Sequence, residues 1–174
     1  LEGLNLKQTA AQQLIVNSIE AIDQGIVPSD GKDDSVALQA LIDRQPLSEA
    51  IQINLPIGEI DLFKPISIDR SHIRIKGQGV GRTILQAQFN PTADTAILMV
   101  SGSRVGQTVL TASAPKTAQK PVQDVQVSGF TLRYSPSTPG IANQTINGLV
   151  LDNVAQVTVS NIHLEQGIRY PAML

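Results

Sequence analysis

The 174-residue sequence predicts an all-β solenoid, a stack of parallel β coils entered through a helical N-terminal segment. Three observations carry that prediction. Short apolar/polar alternations rich in Val, Ile and Leu fill the chain from residue 51 onward, with Gly, Asn, Asp or Pro in nearly every gap. One pattern recurs in phase: Val125-Gln126-Val127-Ser128-Gly129-Phe130-Thr131-Leu132 aligns with Val157-Thr158-Val159-Ser160-Asn161-Ile162-His163-Leu164, 32 residues on. The core material is aliphatic, because hydrophobic residues make up 41% of the chain while aromatics are 3% and Trp is absent. Stacked Val, Ile and Leu ladders at a strand spacing of about 4.8 Å fill a narrow coil well, and rings fit there poorly. In a solenoid, equivalent side chains of successive turns lie above one another, which an in-phase echo records. An antiparallel sandwich also uses many short strands but does not predict the echo.

Composition excludes several classes. With 13 Lys and Arg against 15 Asp and Glu there is no basic excess for a phosphate backbone, so no nucleic-acid partner is expected. Charged residues at 16% are too few for a disordered chain. No apolar stretch approaches the ~20 residues of a membrane span, so no membrane partner is expected either. The absence of Cys removes disulfide scaffolds, thiolate zinc sites and thiol nucleophiles.

Taken in order, Lys7 to Asp23 reads as an amphipathic helix with Leu14, Ile15, Ile19 and Ile22 near one face, ended by Gly25 and Pro28. Asp30-Gly31 signals a turn, and Asp34 or Ser35 can cap a short helix whose apolar face is Leu38, Leu41 and Ile42. Asp30, Asp33 and Asp34 are hard oxygen ligands, but the ligand spacing of a calcium-binding EF-hand loop is missing, so turn and capping chemistry accounts for them. After Pro46 the periodicity becomes that of strands: Ile51–Leu55, Ile66–Ile68, Ile73–Ile75, Ile84-Leu85, Ile97–Val100, Val109-Leu110, Val125–Val127, Phe130–Leu132, Leu149–Leu151, Val157–Val159 and Ile162–Leu164. The aliphatic strand before each copy of the repeat, Ile97–Val100 and then Leu149–Leu151, belongs to the same coil order, and Tyr134 to Gln144 is a loop excursion. Gly77, Gly129 and Asn161 fall at the coil corner, where left-handed backbone is common. The run Gly77-Gln78-Gly79-Val80-Gly81 has the glycines of a phosphate cradle. A cradle needs a helix N-terminus next, however, and Thr83-Ile84-Leu85 is a strand, so the run reads as a tight connection.

Asp30-Gly31-Lys32-Asp33-Asp34 with Leu38–Ile42, then Leu55-Pro56-Ile57-Gly58, then Ile75-Lys76-Gly77-Gln78-Gly79 through Thr83-Ile84-Leu85, occur in an order that resembles the opening of pectate-lyase-like right-handed parallel β-helix proteins. The resemblance implies a right-handed single-stranded parallel β-helix with an N-terminal α-helical cap, residues 1–46 forming the cap region and 47–174 the coils. It also implies work on a polysaccharide as lyase, hydrolase or epimerase, at an extracellular or cell-surface location, with substrate lying along the outside of the coils. No cofactor is evident, no metal site is assigned, and calcium (Ca2+) enters only if the activity is a lyase. The alternative is a non-catalytic β-helix module for glycan binding, adhesion or assembly.

Candidate site residues come from the repeat. Stacking puts Thr131 beside His163 and Arg133 beside Glu165, one step outside the ladder. An Arg–Glu contact there can position a uronate carboxylate or a general acid/base, or be an ordinary surface ion pair. Asp152 and Glu165 are the acids of the last coils, so Arg133, Glu165 and Asp152 are the catalytic candidates, with His163 and Tyr134 for substrate contact. The paired Asp, Gly-His-Gly and Arg-Ile-Lys motifs of polygalacturonase-like relatives are absent, and His72 reads as a turn residue. With only Phe63, Phe89, Phe130, Tyr134 and Tyr170, a sugar-stacking platform is poorly provided. Asn143-Gln144-Thr145 forms a glycosylation sequon.

The first residue is Leu1, so the chain is expected to be processed, trimmed or a fragment, and no signal peptide is visible. Its last ladder is followed by a short tail. The remainder of a longer chain, or an oligomer partner, is therefore expected at the C-terminal coil end.

Overall fold

The computed structural model describes residues 16–44, 49–91, 95–102, 121–135, 146–165, 168–169 and 172–173. In chain order the elements are β1 (Val16–Glu20), a 3-10 turn (Ala21–Gln24), α1 (Ser35–Arg44), β2 (Ala50–Asn54), β3 (Gly58–Leu62), β4 (Ile66–Ile68), β5 (Ile73–Lys76), β6 (Thr83–Ala87), β7 (Ala96–Ser101), β8 (Val125–Tyr134), β9 (Ile146–Asp152), β10 (Val157–Leu164), β11 (Ile168–Arg169) and β12 (Ala172–Met173). Among the described residues every strand pairing is parallel. A seven-stranded sheet has the order β1-β2-β5-β8-β6-β3 with β10 added on β8, and a five-stranded sheet has the order β11-β9-β7-β4 with β12 added on β9.

The long strand β8 explains how the coils stack. Its first half pairs with β5 (Ile73↔Val125 to Lys76↔Ser128) and its second half with β6 (Ile84↔Thr131 to Ala87↔Tyr134). Between them Gly129 takes a left-handed conformation, φ 74°, and the strand turns a corner. The seven-stranded sheet therefore has two flanks, and the chain passes through the first flank, the second flank and the five-stranded sheet in turn. The 32-residue echo is a physical register, with Val157 on Val125 and Leu164 on Leu132. Leu98 likewise lies on Leu149. This is parallel β-helix-like stacking.

The corner residues divide by cause. Gly129 and Asn161 (φ 52°) are left-handed, as the sequence predicts, whereas Gly77 is not. Gly77 is required by proximity: a Cβ there would lie 2.3 Å from the Gly129 carbonyl oxygen. The Gly77 and Gly79 amides donate to Ser128 and Gly129 carbonyls at 2.8 Å each, and β6 follows, so the run is a coil connection.

Inward ladders form one apolar core. Ile51, Ile73 and Val125 stack in the first flank, Ile60, Leu85 and Leu132 in the second, and Ile66, Leu98 and Leu149 in the five-stranded sheet, all buried. Among the described residues β10 is the last rung of this flank: Val159 is 40% exposed, against 0% for Val127 beneath it.

The helix expected over Lys7–Asp23 is corrected where it can be seen. Val16–Glu20 is a strand and Ala21–Gln24 a 3-10 turn, while 7–15 lie outside the described residues. The free edge of β2 decides it, because pairing Val16↔Ala50 through Glu20↔Asn54 satisfies a row of backbone groups that helix propensity cannot. The second expected helix forms. Asp34 accepts the Leu38 amide through its carbonyl, and Asp33 Oδ1 accepts the Ser35 amide at 2.8 Å. Helix α1 covers the free edge of β4: the Gln39 amide donates to the Ser67 carbonyl at 2.9 Å and accepts the Ser67 amide at 2.8 Å, as a neighbouring strand would. Buried Arg70 ties the last turn of α1 to the coils, donating to the Ile42 and Glu49 carbonyls. The Gly58–Leu62 strand is absent from the sequence reading, and Val109-Leu110, the Tyr170–Leu174 tail beyond β12's backbone and most of the Tyr134–Gln144 loop lie outside the described residues.

Candidate functional site

The outward face of the second flank carries a cluster of ionisable and amide side chains from four rungs. Inward positions there are Ile60, Leu85 and Leu132, so alternation turns Glu59, Asp61, Gln86 and Arg133 outward. Asp61, Gln86 and Arg133 lie in one register row, and Glu165, whose amide donates to the Leu132 carbonyl, extends it by one rung. Arg133 donates Nε to Glu165 Oε2 at 2.7 Å and Nη2 to Glu165 Oε1 at 3.0 Å, a bidentate fork. Its Nη1 donates to Glu59 Oε1 and, at 3.4 Å, to Gln86 Oε1. The Gln86 amide in turn donates to Asp61 Oδ1 at 3.0 Å, and Gln88 donates to the same oxygen. One cation therefore binds carboxylates from two other rungs.

The electrostatics follow from these contacts. The Arg133 hydrogen bonds hold the Glu165 carboxyl below the usual carboxylate range, against the opposing effect of partial burial, with the Arg133 charge and nearby His163 adding to the effect. Reciprocally, Glu165 and then Glu59 hold the Arg133 guanidinium firmly protonated. Glu165 is thus an ionised acceptor, suited to orienting Arg133 or taking a proton, and unsuited to donating one.

The predicted residues separate. Arg133 and Glu165 meet as the repeat implies, and His163, in register with Thr131, is exposed on the same flank. Asp152 is elsewhere: it is buried in the five-stranded sheet, opposite Ser101, whose hydroxyl donates to it at 3.3 Å. Tyr134 is turned toward the core beside Ala87. Burial raises its hydroxyl's pKa, and that hydroxyl has no hydrogen-bond partner among the described residues, so it offers no platform to solvent. Glu59 and Asp61 are absent from the sequence reading because the β3 strand is; the alternation Glu59-Ile60-Asp61-Leu62 is the signal that carries them, while Gln86 lies on the Ile84-Leu85 strand that the sequence does predict.

Other candidates resolve locally. Asp30 accepts the Lys32 amide, Asp33 the Ser35 and Phe63 amides, and Asp34 the Val27 amide, which is turn and capping chemistry. His72, left-handed at φ 59°, pairs with Asp124 Oδ2 at 3.0 Å across the turn before the first flank. Among the described residues no group of three or more His, Asp or Glu is arranged to hold a metal ion, and no helix is long and apolar enough to cross a membrane.

The parallel strands stacked in register define the class of fold, a parallel β-helix-like one. Particular likenesses agree. The mannuronan C-5 epimerase AlgE4 A-module of Azotobacter vinelandii superposes with a TM-score of 0.64 at 14% identity, covering 91% of this chain and 41% of that one. The AlgE6 A-module of the same organism gives 0.59 at 16% identity, covering 89% and 40%. ORF18 of Geobacillus virus E2 gives 0.61 at 16% identity, covering 87% and 27%. At these identities the likeness is one of fold, and the chain spans less than half the length of each structure. No protein-family model and no curated protein matches the sequence.

Proposed function

We propose that this chain is a carbohydrate-active β-helix protein that works outside the cell on an acidic polysaccharide, as a lyase, hydrolase or epimerase. The observation that carries the reading is the fold likeness to two mannuronan C-5 epimerase A-modules over 91% and 89% of the chain. The second flank supplies parts such chemistry needs. Arg133 is a permanent cation able to neutralise a uronate carboxylate, and neutralisation eases removal of the proton beside it. Glu165 holds the guanidinium fork in place and is a positioning residue. Glu59, sharing Arg133 with Gln86 and partly exposed, is the carboxylate a substrate anion displaces, and once displaced it is the base that accepts the sugar proton. His163 contacts the sugar from the neighbouring rung. Calcium belongs to this scheme only if the reaction is an elimination.

A second reading, a non-catalytic glycan-binding module, is favoured by one observation: most of Arg133's donors are already taken by Glu165, Glu59 and Gln86. Incubation with acidic polysaccharides in deuterated water, with and without calcium, separates the readings. Unsaturated ends, new reducing ends or deuterium at the carbon beside the carboxylate, each lost in Glu59→Gln, support the catalytic reading. Binding without any of these supports the module.

A further inference from the structure

The first flank presents a different outward surface. Its inward rows are apolar and buried, so Gln52, Arg74, Gln126 and Thr158 form one outward row and Asn54, Lys76, Ser128 and Ser160 the next, each in register across β2, β5, β8 and β10. Toward β1 the second row closes on itself: Asn54 donates to Ser18 and Glu20, and Gln52 donates to Asn54. Toward β10 it stays open. Among the described residues neither the Arg74 nor the Lys76 side chain has a carboxylate partner, and Lys76 is exposed. At the strands' start Asp124 is engaged by His72, and Glu20, at the far end of the second row, by Asn54. Beside Lys76 the surface sinks into an open depression of about 490 Å3 lined by Lys76, Gln78, Val80, Ser128, Ser160 and Asn161 around the glycine corner.

We propose that this flank is a second glycan-contact surface, separate from the Arg133 cluster, which takes a carboxylate-bearing sugar chain with Arg74 and Lys76 as its cationic anchors. The proposal rests on the acidic-polysaccharide reading above and names a surface that reading does not use. Charge selects the occupant: two uncompensated cations attract an anion, and on a chain of net charge −2 they do so locally. The neighbouring groups select a sugar. Ser128, Ser160, Thr158 and Asn161 offer hydroxyls and an amide for sugar hydroxyls, and Val80, 48% exposed, offers an apolar contact for the C–H face of a ring. The open shape and the regular rung spacing of about 4.8 Å let a polymer run across the rungs and meet donors repeatedly.

The test is a titration of the intact chain with a mannuronate hexamer and with a neutral glucose hexamer. It compares Arg74→Gln/Lys76→Gln with the charge-matched control Lys32→Gln/Lys64→Gln, and amide chemical shifts map the contact. The expected result is binding of the acidic hexamer alone, shifts at Lys76, Ser128 and Ser160, affinity lowered at least about tenfold in Arg74→Gln/Lys76→Gln, and affinity within about threefold in the control. Wild-type affinity in Arg74→Gln/Lys76→Gln, or shifts confined to the Arg133 flank, overturns this surface and leaves the broader reading standing. No binding of the acidic hexamer by the unaltered chain overturns both.

Discussion

The two outward flanks of the seven-stranded sheet are built on the same coils and treat their cations in opposite ways. On the second flank Arg133 is gripped by Glu165 from the next rung, by Glu59 and by Gln86. On the first flank Arg74 and Lys76 stand among amides and hydroxyls with no carboxylate partner among the described residues. The residues stacked directly beside each cation make the difference. An outward row that stacks Asp61, Gln86, Arg133 and Glu165 compensates its charge across rungs, whereas one that stacks Asn54, Lys76, Ser128 and Ser160 leaves charge for a ligand. A gripped cation contributes to stability and orientation; an ungripped one is the anchor of the proposed glycan contact.

Gly77→Ala attacks the corner that supports the open flank and has the largest expected effect. The new Cβ collides with the Gly129 carbonyl, so the rungs must separate, and unfolding in urea is expected to show a loss of about 3 kcal/mol or more. Arg133→Ala removes the cation and leaves Glu59 and Glu165 uncompensated. For a partly buried cluster the expected loss is about 1–3 kcal/mol, and a double-mutant cycle with Glu165→Gln should show coupling. A loss as small as that of Arg74→Ala would erase the distinction between the flanks.

The acid limb of the stability curve sharpens it further. Glu165 has a folded pKa below its ordinary 4.5, so its contribution is full above that value and is lost as pH falls through the folded pKa. Arg133→Ala should therefore flatten the decline of stability below about pH 4.5. Arg74→Ala should leave that limb unchanged. The smallest effect belongs to the open flank itself: Arg74→Ala and Lys76→Ala should each move unfolding free energy by no more than about 0.5 kcal/mol.

The fold was readable because coil stacking writes itself into the sequence as an in-phase echo. Val125–Leu132 and Val157–Leu164 align on paper and pair in space, and so do Arg133 and Glu165. What the echo does not carry is contact between unlike rungs. Glu59 reaches Arg133 from β3, a strand with no copy in the repeat. Asp152 looked close to Glu165 along the chain, yet the coil places it in the other sheet. Val16–Glu20 read as helix because local propensity says nothing about the free edge of β2 that captures it. Arg74 and Lys76 drew no attention because an unpaired cation is defined by which partners are missing, and only register shows that.

The central proposal is that this chain, with its parallel β-helix-like fold, engages an acidic polysaccharide through charge. Binding isotherms of the unaltered chain for a mannuronate hexamer at low and high salt, beside a neutral glucose hexamer, test it most directly. Binding of the acidic hexamer that weakens with salt, with none for the neutral one, is the predicted result. Equal binding of both hexamers, or of neither, contradicts it.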